Sequence, residues 1–143
     1  MQDPDSRVAA LQAQGWKQRA LGGFIDAAGP LWTRKEDGSF GYGVLVEARH
    51  LNPGGIVHGG MLGTLMDHAI STVAWEASGR QRCVTLQLDT QFLAPARTGD
   101  FVEARGKVVH RTNSTLFMQG LLTVNGEPVA SAQAIMKVVL IQS

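Results

Sequence analysis

Hydrophobic and polar residues follow two different rhythms along this chain, and the rhythm changes at Gly79. Before it, Leu62, Leu65, Met66, Ala69, Ile70 and Val73 recur at i, i+3, i+4, i+7, i+8 and i+11, which draws one continuous apolar stripe on a helix. The spacing predicts an α-helix over about residues 60–78, ended by Gly79. After it, "CVTLQLDTQFLAPA" alternates Val84, Leu86 and Leu88 against Thr85, Gln87 and Asp89, the period of a strand with one buried face. "DFVEARGKVVHR", "STLFMQGLLTV" and "EPVASAQAIMKVVLI" read as further long strands. Turns are expected at Pro95–Gly99, Thr112–Asn113 and Asn125–Gly126, the last being the strongest hairpin signal in the chain.

The N-terminal part is plainer. Val8 and Leu11 lie at helical spacing within residues 5–20, so a leading helix is expected in an extension covering residues 1–22. Gly22-Gly23 and the "AAGP" stretch break it. "LWTRKE" and "SFGYGVLVEA" then form two strands across Asp37-Gly38. The layout is α+β in a single domain over 1–143: two short strands, one long helix, then three or four long strands. Tight turns imply antiparallel neighbours, and the helix must cover one face of the sheet.

Composition narrows the function classes. At 143 residues the chain is long enough for a hydrophobic core without staples. A net charge of +1 gives nucleic acid or a membrane surface no electrostatic hold. The lone cysteine, Cys83, excludes an internal disulfide and fits a reducing compartment. His50, His58, His68 and His110 show no metal-ligand spacing. The polar, acidic start is unlike a secretory signal, and Asp67, His68 and Glu76 interrupt the best apolar run. A cytoplasmic protein is expected.

The candidate chemistry lies in "LNPGGIVHGGMLGTLMDHAI". Projected at about 100° per residue, Asp67 falls with Gly60, Thr64 and Ser71, opposite Leu62, Met66 and Val73. The acid should therefore face away from the sheet, toward another subunit. Glycines at a helix start leave backbone N–H groups unpaired and open to an anion or a developing oxyanion. Such donors plus a carboxylate are the minimum equipment for hydrolysing an activated acyl group. Yet Gly59 and Asp67 are eight residues apart, a rise of about 12 Å along one helix. Contact with one reacting carbonyl needs about 3–3.5 Å from each group. Two antiparallel copies could supply both, giving two shared sites per dimer.

The segment "NPGGIVHGGMLGTLMD", an Asn-x5-His-Gly-Gly-x6-Asp pattern, resembles the hotdog-fold acyl-CoA thioesterases of the phenylacetate-pathway (PaaI-like) branch. "LDTQFLAPARTGD" resembles the strand and turn that follow the long helix in that family, and the likeness spans about Gly38 to Val139. It implies a hotdog fold: an antiparallel sheet, here of five to six strands, wrapped around the central helix, in homodimers that pair into homotetramers. It implies Asp67 as general base or nucleophile and the Gly59 N–H as oxyanion donor. By the same likeness His58 and Asn52 shape the loop and position thioester or water, and Thr85 stands near the acid. No metal or redox cofactor is implied, because coenzyme A belongs to the substrate. No phosphate-binding glycine loop is present, so surface cations would have to meet the CoA phosphates; Arg97 and Arg111, both in turns, are the candidates.

Plainer readings compete. Asn52 before Pro53 is an ordinary turn residue, His58 a loop anchor, Thr85 a strand former and each arginine a solvated turn residue. At the level of function, hydrolysis of an acyl- or aryl-CoA competes with dehydration of a hydroxyacyl thioester by His58 and Asp67. It also competes with a non-catalytic acyl-CoA-binding hotdog protein.

Overall fold

In the computed structural model, residues 3–140 are described. They form α1 (Pro4–Ala13), β1 (Lys17–Arg19), α2 (Phe24–Ala28), β2 (Leu31–Glu36), β3 (Ser39–Leu45), α3 (Gly59–Ala77), β4 (Cys83–Phe92), β5 (Phe101–Arg111), β6 (Thr115–Val124) and β7 (Glu127–Val138). Ile141, the end of the last expected strand, lies outside the described residues, as do Met1 and Gln2.

The apolar stripe makes α3 the central helix. Leu62, Leu65, Met66, Ala69 and Ile70 are buried as expected, but the stripe closes on Ala74, with Val73 only half-buried. Each large side chain that α3 buries contributes about 1.5–3 kcal/mol. Two glycines on the sheet let the helix come close. Gly106 of β5 and Gly120 of β6 are cross-strand partners. A Cβ on Gly106 would lie 3.3 Å from the Ile70 Cα, and one on Gly120 would lie 2.6 Å from the Met66 Sδ. The absent side chains form a trough in which α3 sits.

The sheet has seven strands in the order β1-β2-β3-β5-β6-β7-β4, every neighbouring pair antiparallel. The sequence pattern predicts five or six. The added strand is β1, which that pattern places inside a helix reaching to about residue 20. The helix instead ends at Ala13, Gly15 turns the chain at φ +92°, and Trp16 drops into a satellite core with Trp32 and Phe101. Residues 17–19 then pair with β2. A short helix, α2, forms where the pattern predicts only a break.

A second correction concerns β4. A turn at Pro95–Gly99 would join antiparallel neighbours, but β4 pairs with β7 at one edge and β5 lies in the interior. Residues 93–100 cross the end of the sheet rather than forming a hairpin. Three hydrogen bonds mark the route: Leu93 N–H to the Val129 carbonyl (2.9 Å), Val57 N–H to the Ala96 carbonyl (2.8 Å) and Val46 N–H to the Asp100 carbonyl (2.8 Å).

Candidate active site

The mouth of α3 is built by its own loop. Leu51 and Val57 bridge, Asn52 N–H donates to the Ile56 carbonyl (2.7 Å), and Ile56 N–H donates to the Asn52 Oδ1 (3.3 Å). The Asn52 side-chain oxygen is thus engaged inside the loop, a positioning role. Buried His50 ties the loop down: its backbone carbonyl accepts from His58 N–H (2.9 Å). The His50 ring accepts from Glu47 N–H at Nδ1 (3.0 Å) and donates from Nε2 to the Ala28 carbonyl (2.7 Å). His50 is not among the sequence candidates; four scattered histidines carry no sign of which one is buried.

His58 is the N-cap of α3. Its Nδ1 accepts the Gly60 N–H at 2.8 Å, and its carbonyl accepts from Met61 and Leu62. A cap of this kind satisfies one of the free donors of a first helical turn. The Gly59 N–H has no hydrogen-bond partner among the described residues. The ring of Phe92 lies against Gly59, 3.5 Å from the place a Cβ would take.

Two turns along, half-buried Asp67 meets the sheet. The Thr85 hydroxyl donates to Asp67 Oδ1 at 2.7 Å. A hydroxyl has one hydrogen to give, so Ser71 Oγ, 3.5 Å away, is the donor toward Thr85, while Met136 Sδ, at 3.4 Å, is a packing contact. The helical projection turns the acid away from the sheet; it reaches the edge strand instead. A β-bulge explains this. The pairing of β4 with β7 slips between Thr85 and Gln87, leaving Leu86 as the extra residue. The expected inward set of Val84, Leu86 and Leu88 is therefore broken. Leu88 packs on the core, Val84 and Leu86 are exposed, and Thr85 turns inward to the helix.

Within one chain the two ends of the site stay apart, since α3 runs unbroken from Gly59 past Asp67. Sequence pattern assigns no role to His68, which stands beside the acid. Its ring meets Tyr42 edge-on, 5.4 Å between centroids at 82°. Burial pushes the His68 imidazole below its ordinary value, partly opposed by the Asp67 charge. Burial likewise pushes the Tyr42 phenol up, with a Thr72 hydrogen bond opposing and Glu76 reinforcing the rise. The two candidate arginines do not converge. Exposed Arg97 lies at the end where Ala96 meets Val57, near the mouth of α3. Arg111 donates to the Ala77 carbonyl at the far end of the helix.

The thioesterase superfamily family model matches residues 54–130, which take in Gly59, Asp67, Thr85 and Phe92. The chain belongs to the thioesterase superfamily. This thioesterase has the hotdog fold, and it is a thioester hydrolase with the likeness to the PaaI-like branch read from its motif. The phenylacetic acid degradation protein PaaI of Thermus thermophilus, solved as a point mutant, is 27% identical with a TM-score of 0.71, covering 81% of this chain and 98% of its own. A Pseudomonas aeruginosa protein named "Putative esterase" is 29% identical over 113 residues, covering 78% of the thioesterase and 84% of the relative. A Bacillus halodurans protein solved with CoA shares the fold, with a TM-score of 0.78 at 22% identity over 96% of this chain and 89% of its own.

Proposed function

We propose that this thioesterase hydrolyses acyl- or aryl-CoA thioesters to the free acid and CoA, at a site shared between two subunits. The observation that carries the reading is the anchored carboxylate. Thr85 holds Asp67 Oδ1, and Oδ2 has no hydrogen-bond partner among the described residues. As general base, Asp67 takes a proton from water while the water oxygen bonds to the thioester carbon. The Gly59 N–H of the other subunit stabilises the resulting oxyanion. The oxyanion then collapses, the C–S bond breaks, and the CoA thiolate takes the proton back from Asp67. Attack by Oδ2 itself, through a mixed anhydride that water cleaves, uses the same geometry. His58 and Asn52 hold the loop.

Two features support the shared site. The rise from Gly59 to Asp67 separates donor and acid within one helix by about 12 Å. In addition, β4 is an unpaired edge of ten residues with exposed Val84 and Leu86, an edge that a second copy would cover. For the homotetramer we infer contact through the outer sheet face. There Lys107, Gln119, Gln133 and Asp89 stand in register across β5, β6, β7 and β4, in a groove of about 710 Å³. A two-fold axis parallel to the strands, running between the two faces midway between Gln119 and Gln133, lays Lys107 of one copy over Asp89 of the other. Arg97 is the better placed cation for CoA phosphates, because Arg111 is engaged at Ala77. In this reading the protein's own groups suffice without metal or redox cofactor, CoA is part of the substrate, nucleic acid is no partner, and the site of action is the cytoplasm. None of the described helices is long and apolar enough to cross a membrane.

The test is thiol release from aryl, short, medium and long acyl-CoA esters. The wild type should turn over at least one class. Asp67→Asn should bind that ester and lose about 10²–10⁴ in turnover. A wild type inert toward every ester, or an Asp67→Asn variant of near-normal rate, overturns the reading.

A further inference from the structure

We propose that Phe92 is a specificity-determining residue: its ring walls the acyl side of the oxyanion donor and selects against branching at the carbon next to the thioester carbonyl. The inference rests on the hydrolytic reading above and adds to it the acyl shape the site accepts.

The ring is placed, not loose. Phe92 ends β4 opposite Ala130 of β7, and the next two residues, Leu93 and Ala94, both donate their N–H groups to the Val129 carbonyl. From that base the ring tip turns onto Gly59, with Cζ, Cε1 and Cε2 at 3.5, 3.7 and 3.9 Å from the position of a Cβ there. These are ordinary van der Waals distances, so the ring stands one contact away from the backbone that carries the free N–H. Yet Phe92 is 56% exposed and belongs to neither hydrophobic core. A large aromatic group placed beside an unpartnered donor, and contributing little to the core, is a contact surface for whatever the donor binds.

A carbonyl oxygen seated about 3 Å from the Gly59 nitrogen brings the carbonyl's two substituents within reach of that ring. One is the sulfur of the pantetheine arm, which bears amides and leads to phosphates; the other is the acyl carbon. Phe92 is followed by exposed Leu93, and the pair offers an apolar surface without a hydrogen-bonding group. That surface complements the acyl side. A straight or flat acyl group passes along the ring, whereas a carbon bearing two extra methyl groups directs one of them into it.

The experiment compares butyryl-CoA with pivaloyl-CoA, holding the thiol constant, in the wild type, Phe92→Ala and Phe92→Leu. The wild type should favour the butyryl ester in kcat/KM. Phe92→Ala should reduce that preference about tenfold, chiefly by improving the pivaloyl ester, and Phe92→Leu should fall between. Far-ultraviolet circular dichroism checks the fold of each variant, and Phe92→Leu carries the comparison should the alanine variant fail to fold. An unchanged preference in a folded variant whose turnover still requires Asp67 overturns the role of Phe92 and leaves hydrolysis standing. A wild type that releases no thiol from any ester of the broader panel overturns hydrolysis, and this inference with it.

Discussion

Thr85 donates its hydroxyl hydrogen to Oδ1 of Asp67 at 2.7 Å, joining the edge strand of the sheet to a carboxylate two turns into the central helix. The bond fixes one carboxylate oxygen and aims the other. A hydrogen bond to a charged group is worth about 1.5–3 kcal/mol. Thr85→Val keeps the shape and removes the hydroxyl, so kcat should fall about 10- to 100-fold with little change in KM. Thr85→Ser should restore most of the rate. Steady-state kinetics on the preferred CoA ester checks this, and a Thr85→Val enzyme of wild-type rate would deny Thr85 its part.

His68 reports on the same carboxylate. Its imidazole lies below its ordinary value of 6.5 because it is buried, and the Asp67 charge pulls it part of the way back up. Removing the charge should therefore lower it further. An NMR titration of the imidazole should show a lower midpoint in Asp67→Asn than in the wild type; an unchanged or higher midpoint would contradict the arrangement. The sign for stability follows from the same shift. The contribution of neutral His68 is complete above about 6.5 and is lost as pH falls from there through the lower folded-state value.

Glu36 lies among Arg105, Arg34 and, through Arg105, Glu103. The Arg105 hydrogen bonds, assisted by Arg34 and opposed by burial, hold its carboxyl down to about 2 from 4.5. The stabilisation is therefore full above 4.5 and is lost as pH falls through about 2. Because Arg105 is partly solvated, Glu36→Gln should cost only about 1–2 kcal/mol near neutrality. The gap from wild type should close as pH drops from 4.5 toward 2. Urea denaturation across that range measures it; a gap independent of pH would refute the linkage.

The outer face of the sheet gives a charge-swap test. If Lys107 of one copy meets Asp89 of another, Lys107→Glu and Asp89→Lys should each weaken the tetramer. The double variant should recover it, since the two charges exchange places. Light scattering on eluting species distinguishes the outcomes, and a double variant no better than either single one would rule out the pairing.

Much of this is legible in the chain because burial leaves a period. The stripe from Leu62 to Ile70 marks the central helix, and the turn residues bound the long strands. β1 is not legible, since three exposed polar residues carry no pattern; what fixes them is Trp16 on one side and β2 on the other. The meeting of Thr85 with Asp67 is hidden for another reason. It depends on a bulge that reverses the faces of β4 and on a crossing that carries β4 to the far edge, both set by long-range pairing. The resemblance places Thr85 near the acid, while the alternation alone points Leu86 inward. Phe92 likewise reads as one more strand residue, because its contact with Gly59 joins positions 33 apart.

The trough made by Gly106 and Gly120 acts on the chemistry from behind. Nothing in it approaches a substrate, yet it sets the depth at which α3 rests, and thereby how far the acid stands from the strand that steadies it. A methyl group added at Gly106 would lie 3.3 Å from the Ile70 Cα and press on the helix backbone one turn from the carboxylate, like a shim. One at Gly120 would first displace the side-chain ends of Met66 and Ile70. The seat of Asp67 against Thr85 thus depends on side chains missing from the strands beneath the helix as well as on the groups that touch it.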